Sequence, residues 1–293
     1  MPPRSGQAPE QRVAELLNLL ELETLEVNLF RGASRDIGSP QVFGGQVLGQ
    51  ALRAAYATVT DRVVHSLHAY FLRRGDFNAP IVYQVERSLD GHSFANRHVV
   101  GIQHGAQIFN MTASFQVREE GFDHQIEMPQ VPAPEALPEF SLPPVVLDQL
   151  PQGVRRFIDR ARPFDFRLVQ QVDYVRPHKE PPRREIWFRA VAPLPEGDDL
   201  HRCLLAYVSD YFLLDTATLP HGRPALLGNI MMASIDHAMW FHRPLRMDQW
   251  LLYALESPSA SNARGFARAS VFSQDGRLIA STAQEGLVRV KRD

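Results

Sequence analysis

His68-Ala-Tyr-Phe-Leu-Arg-Arg74 and His237-Ala-Met-Trp-Phe-His-Arg243 read alike, although 169 residues separate the two histidines. After each comes a strand-like run, Pro80 to Leu89 and Trp250 to Ser257, then a turn and two further alternating runs. The turn glycines Gly105 and Gly276 stand 171 residues apart, so the correspondence drifts by only two residues along the interval. Self-similarity of this kind marks an internal duplication. Two copies of one α+β unit in a single chain imply a pseudo-dimer, and whatever differs between the copies becomes a candidate for the working site.

Working outward, Val13, Leu16, Leu17 and Leu20 recur at helical spacing and predict an amphipathic helix from Glu10 to Leu22. Ser39-Pro-Gln-Val-Phe-Gly44-Gly45-Gln46 reads as a loop whose glycines feed a second helix, Gln46 to Ala57. From Val63 to Val117 the period becomes two, with turn signals at Arg74-Gly-Asp, Asp90-Gly91 and His104-Gly105, which describes an antiparallel meander. Seven prolines between Glu119 and Pro151 mark a linker. Strand-like runs resume at Phe166 to Val175 and Glu185 to Ala192. A long helix is expected over Asp198 to Thr216, with Asp198 or Asp199 as N-cap and Pro220 beyond its end, and a second meander over Asn229 to Val290. The division is thus 1–118, a linker 119–163, and 164–293. The fold class is α+β, a tandem double hotdog in which each repeat wraps an antiparallel sheet around a long helix and the two sheets join edge to edge.

Composition narrows the function classes. The 293 residues suffice for two ordinary cores, and 44% hydrophobic with 22% charged residues is average for a globular protein. A formal charge of −2 leaves no basic stripe for nucleic acid or a membrane surface. The local excess of Arg155 to Arg167 with Lys179 to Arg184 is read first as a solvated face and second as a partner for phosphates such as those of coenzyme A. The lone Cys203 excludes an internal disulfide and a multi-cysteine zinc site. Met1 to Glu10 lacks the apolar core of a signal peptide, no run is long enough to span a bilayer, and Val290-Lys-Arg-Asp293 is not a peroxisomal address. The expectation is a cytoplasmic protein without metal or cofactor.

Asp210 is the strongest anomaly, because it sits in the most apolar stretch of the expected helix, where an unpaired carboxylate is costly. Its bland alternative is a bond to a loop amide or to solvent. Ser234 and Asp236 are read on one face of the second meander's first strand, and Gln284 on its last. Alone, each is ordinary strand polarity. In the duplicated alignment His65 stands opposite Ser234 and Ala113 opposite Gln284, so the second repeat holds polar groups that the first lacks. No Gly-x-Ser-x-Gly elbow, His-Glu-x-x-His or Walker loop is present, and Gly44-Gly45-Gln-Val-Leu-Gly49 does not match the dinucleotide fingerprint. His65 and His68, like His237 and His242, are read as facing opposite sides of a strand and not as metal ligands. Trp240-Phe241, Tyr70-Phe71 and Phe94 are read first as core aromatics and second as lining for an apolar acyl chain.

Phe43-Gly-Gly-Gln46, His65-Ser-Leu-His-Ala-Tyr-Phe-Leu72, Asp90-Gly-His-Ser-Phe94, Met111-Thr-Ala-Ser-Phe115, Asp236-His-Ala-Met-Trp-Phe-His-Arg-Pro244, Ser257 to Gly265 and Ala280-Ser-Thr-Ala-Gln-Glu-Gly286, in this order, resemble acyl-CoA thioesterase II, a double-hotdog family. The resemblance runs from Leu16 to Arg289. It implies hydrolysis of fatty acyl-CoA to fatty acid and CoA by direct attack of water, with a catalytic Asp, Thr and Gln that fall on Asp210, Ser234 and Gln284. Serine here replaces the usual threonine, which keeps the hydroxyl and drops the methyl that helps fix its rotamer. By analogy with single-domain hotdog thioesterases, Gly44, Gly45 and Gln46 are expected to bind substrate by offering backbone amides to the oxyanion. The implied partner is a small-molecule acyl-CoA and the implied assembly a homo-oligomer, dimer or tetramer. Two rivals remain: a hotdog hydratase or dehydratase, which needs a histidine beside its aspartate, and an acyl-CoA-binding or sensing protein.

Overall fold

A computed structural model describes residues 7–38, 41–150, 155, 162–224, 226–227 and 230–290. Parts of the expected loop at Ser39, the linker, the basic excess after Arg155, the start of the second meander at Asn229 and the C-terminal tripeptide lie outside the described residues.

The first half contains helix α1 (Pro9–Leu20), the hairpin β1 (Glu23–Glu26) and β2 (Leu29–Gly32), helix α2 (Gly44–Tyr56), and the meander β3 (Val63–Phe71), β4 (Ile81–Asp90), β5 (Phe94–Gln103) and β6 (Ala106–Gln116). The second half repeats the plan with β7 (Phe164–Leu168), β8 (Arg183–Ala190), helix α3 (Asp198–Val208), β9 (Ile230–Ser234), β10 (Asp236–Phe241), β11 (Leu251–Ser261), β12 (Arg264–Ser273) and β13 (Leu278–Val290). Two strands precede α2 and two precede α3; the two runs expected before α3 are present, whereas the β1–β2 hairpin before α2 is an addition to the expected elements. In the second half, β7 ends at Leu168 and not at Val175. The strands form one antiparallel sheet in the order β1-β2-β4-β5-β6-β3-β10-β13-β12-β11-β8-β7, with β9 also on β13. The order reads the same from either edge, because β3 and β10 pair with each other at the centre. The α+β double hotdog expected from sequence is thus realised as a continuous sheet carrying two buried helices packed on each other.

The centre explains the repeated motif and corrects its alignment. His68 pairs with Ala238 and Ala69 with His237 across the seam. Val64 pairs with Phe115 and Ser234 with Gly286, and both strands then shift register, between Val64 and Ser66 in one half and at the β9 to β10 break in the other. The structural counterpart of Ser234 is therefore Val64, not His65, while Ala113 remains the counterpart of Gln284. A slip of one residue on a period-two strand exchanges its faces. Accordingly His68 is exposed and His237 fully buried, although sequence aligns them. The same bulge puts His65 on the outer face together with His68, where its Nε2 meets Ser114 Oγ at 2.8 Å. Tyr70, Phe94 and Trp240 are exposed on that face and are not core aromatics, whereas Phe241 is buried.

Helix boundaries differ from expectation for physical reasons. Gly44 and Gly45 are the first residues of α2, where amides need no acceptor within the helix. A Cβ at Gly45 would come within 2.1 Å of the Tyr207 carbonyl oxygen, so the absent side chain lets α2 abut α3. The second long helix stops at Val208, eight residues short of Thr216, and Phe212 adopts φ 61° before a 3-10 segment, Leu214–His221, that contains Pro220. Its N-cap is Gly197, with Asp198 and Asp199 in the first turn and no side-chain cap bond.

Candidate active site

Asp210 is not a mid-helix residue. It occupies the turn just past α3, where the helix has ended and a polar side chain can leave the apolar face. The N-terminus of α2 meets this turn head-on, since the two helices pack antiparallel. Gly45 N–H donates to Asp210 Oδ2 at 3.0 Å, Gln284 Nε2 from β13 donates to Oδ1 at 2.8 Å, and Ser234 Oγ at the end of β9 donates to Oδ1 at 3.3 Å. Three elements distant in sequence thus converge on one carboxylate. Enclosure by protein pushes its pKa up to about 6, against the lowering effect of those three donors, so burial outweighs hydrogen bonding. A carboxyl titrating near neutrality, still in contact with a cavity, is suited to exchange protons with a reactant.

The cavity holds about 430 Å³. Asp210, Ser234 and Gln284 line it together with Gly44, while Phe71, Ile108, Phe109, Phe212, Leu214 and Met232 make the rest largely apolar. Arg73 and Arg74 also line it and are exposed. An apolar tail and a polar, reacting head would both be accommodated.

The three expected amide donors do not behave alike. Gly44 lines the cavity, and its N–H has no acceptor among the described residues. The Gly45 N–H is occupied by Asp210. Gln46 is a correction: its backbone N–H donates to Phe43 O, and its side chain donates to Ala33 O and accepts from Arg35 N, away from the cavity, because the third residue of α2 points to the other side of the helix. Asp236 is a second correction, for it begins β10 after the break and accepts from Glu285 N at 2.6 Å, outside the cavity. No histidine lines the cavity among the described residues, and no cluster there of three His, Cys, Asp or Glu could hold a metal. No helix among them is long and apolar enough to cross a membrane. Sequence reasoning missed Phe212, whose left-handed backbone is unusual for a bulky residue and turns the chain beside Asp210.

Residues 162–287 match the family described as acyl-CoA thioesterase, and residues 32–116 match the acyl-CoA thioesterase N-terminal domain. The chain is 43% identical over 279 residues to acyl-CoA thioesterase 2 of Haemophilus influenzae, spanning 94% of this chain and 96% of that protein. It is 41% identical over 297 residues to human acyl-coenzyme A thioesterase 8, spanning 98% and 92%. Among solved structures, an acyl-CoA thioesterase II TesB2 from Mycobacterium marinum is similar with a TM-score of 0.76 at 41% identity, covering 93% of this chain and 97% of that one. A protein with a hot dog fold from Alicyclobacillus acidocaldarius, with a TM-score of 0.75 at 21% identity, covers 94% and 98% and speaks to the fold.

Proposed function

Because this chain belongs to the acyl-CoA thioesterase family and hydrolyses acyl-CoA to a fatty acid and CoA, we propose that Asp210, Ser234 and Gln284 carry the reaction by directing a water molecule at the thioester carbonyl. The observation that carries this reading is the convergence of Gln284, Ser234 and Gly45 on a carboxylate titrating near 6 at the wall of a largely apolar cavity. Asp210 takes a proton as the water oxygen bonds the carbonyl carbon. Gln284 and Ser234 fix the carboxylate and the water relative to each other, so little reorganisation is left for the transition state. The oxyanion that develops faces the start of α2, where the free Gly44 amide and the helix dipole favour negative charge. When the C–S bond breaks, the proton held by Asp210 goes to the departing CoA sulfur, which returns the carboxylate.

Ser234 acts as an orienting hydroxyl and not as a nucleophile, since its partner is Asp210 and no imidazole is available to take its proton. The same lack of histidine disfavours a hydratase. The reading places catalysis in the unit 164–293, with 1–118 contributing the α2 amides across 119–163, in a cytoplasmic protein that assembles with further copies. Thiol release from acyl-CoAs of graded chain length tests it directly, with rapid-quench mass spectrometry on a slow substrate. An acyl adduct on Ser234 would sink the water mechanism.

A further inference from the structure

One buried titratable group takes no part in this mechanism yet touches two of the elements that carry it. His237 on β10 is fully buried, and its Nε2 lies 2.9 Å from Ser209 Oγ and 3.1 Å from Thr282 Oγ1. Ser209 directly precedes Asp210, and Thr282 stands two residues before Gln284 on the same inward face of β13. Each hydroxyl has a single proton and can give it to a carbonyl: Ser209 Oγ to Ala206 O at 2.9 Å, Thr282 Oγ1 to Ala238 O at 2.9 Å. With both protons so committed, Nε2 must be the donor, shared between two oxygens, which leaves Nδ1 an acceptor that no group meets. The ring is accordingly neutral, burial holding its pKa down at about 3. From the other side, Tyr253 Oη donates to Ser209 O at 2.7 Å, so the residue before Asp210 is gripped through both side chain and backbone.

The other half of the molecule is the control. In the structural register His237 corresponds to Leu67 and Thr282 to Met111, and the residue capping α2 as Ser209 caps α3 is Ala57. The half without a catalytic carboxylate fills the same place with leucine, methionine and alanine. A buried polar network with an unmet acceptor is therefore no requirement of the fold, and it occurs at the pole where a carboxylate has to be aimed.

We propose that His237 is a positioning residue for thioester hydrolysis, its shared Nε2–H locking the Asp210 turn to the Gln284 strand. This rests on the assignment of Asp210 above, so Asp210→Asn is measured in parallel: if that variant retained turnover, the parent assignment would fail whatever His237 does.

The test compares His237→Leu with His237→Gln in the thiol-release assay and in thermal melts. Leucine, the counterpart residue of the other half, removes the donor but leaves the Ser209 and Thr282 hydroxyls bonded to their carbonyls, so the melting temperature should hold or rise. Its kcat should fall roughly tenfold or more with KM within about threefold, because the loss appears in the transition state and not in binding. Glutamine, whose amide N–H reaches about as far as Nε2, should recover most of that loss. Wild-type kcat in the leucine variant overturns the proposal. So does a glutamine variant no better than leucine, or a fall in kcat that only tracks a fall in melting temperature.

Discussion

The two poles where α2 and α3 meet share a fold and little else. At the working pole the turn after α3 presents Asp210 to the α2 N-terminus, with Ser234 and Gln284 around it. At the other, Thr58 stands two residues past α2 as Asp210 stands past α3, Val64 replaces Ser234, and Ala113 replaces Gln284. There two guanidiniums fill the interior. Arg97 Nε donates to Thr58 Oγ1 at 2.8 Å and Nη2 to Thr58 O at 2.9 Å, while Arg202 Nη1 donates to Val64 O at 3.0 Å and its Nε to Asp198 at 2.9 Å. One pole is thus built from buried donors aimed at an anion beside a cavity, the other from cations saturated by protein acceptors. Duplication made the fold twice, and of these two poles only one sets a carboxylate against the cavity that Ser234 and Gln284 line.

The largest break in this comparison is Asp210→Asn. Turnover should fall roughly 10²-fold or more, since an amide cannot accept the water's proton. The fold should gain on the order of 1–3 kcal/mol at neutral pH, about 2–6 °C in Tm. Burial raises the folded pKa to about 6, so the folded state binds the proton more tightly than the unfolded chain, and stability falls as pH rises through the interval from the ordinary aspartate value to 6. Asparagine removes that cost, with Oδ1 turned to Gly45 N–H and its NH2 to Gln284, whose Oε1 otherwise lacks a partner. In the wild type, kcat/KM should decline below pH about 6, as the base is protonated. A variant that keeps its activity, or a profile flat across that pH, refutes the role.

Next in size is Gln284→Ala, which copies Ala113 into the working pole. Loss of one preorganised donor should reduce kcat on the order of 10²-fold. Because the Gln284 hydrogen bond lowers the Asp210 pKa, its removal should also move the acid limb of the pH profile upward. A limb that stays in place would separate Gln284 from the carboxylate and confine it to substrate contacts.

Ser234→Val, the Val64 counterpart, should lose about 1–3 kcal/mol of transition-state stabilisation, and Ser234→Thr should keep or improve turnover. Ser234 was legible in the sequence as a candidate, and the structure sets its hydroxyl beside Asp210, but its counterpart was not legible. Bulges at His65 and Ile235 shift the strand pairing by one residue, and nothing in an alternating pattern announces a bulge that both copies share. Asp210 and Gln284 were legible because apolar surroundings and an alanine in the other copy make polar residues conspicuous. The end of α3 was not, since Tyr211-Phe-Leu-Leu214 continues an apolar helical pattern while the backbone turns at Phe212. Gln46 misled for the opposite reason: glycines that break helices elsewhere here begin one, so the open amide lies two residues earlier, at Gly44. His237 lay within the motif that revealed the duplication, and only the true register, with Leu67, Met111 and Ala57 as counterparts, separates it from His68.

The smallest effect on turnover is expected at the idle pole. Arg97 is 1% exposed, and besides Thr58 its guanidinium reaches Leu89 O, Asn96 O and Asp90. Arg97→Met keeps the apolar stem and removes every one of those donors, so the loop after α2 and the end of β4 lose their common anchor. Breaking so saturated a buried cation should lower stability by about 2–4 kcal/mol. Asp90 is largely exposed and is left solvated, so no buried charge is stranded. Assayed well below its melting temperature, the variant should hydrolyse acyl-CoA within about twofold of wild type, since no Arg97 contact reaches Asp210 or the cavity wall and distant sites act independently. A large fall in kcat with the melting temperature intact would mean that the second pole takes part in catalysis, and the division into one working and one structural pole would have to be given up.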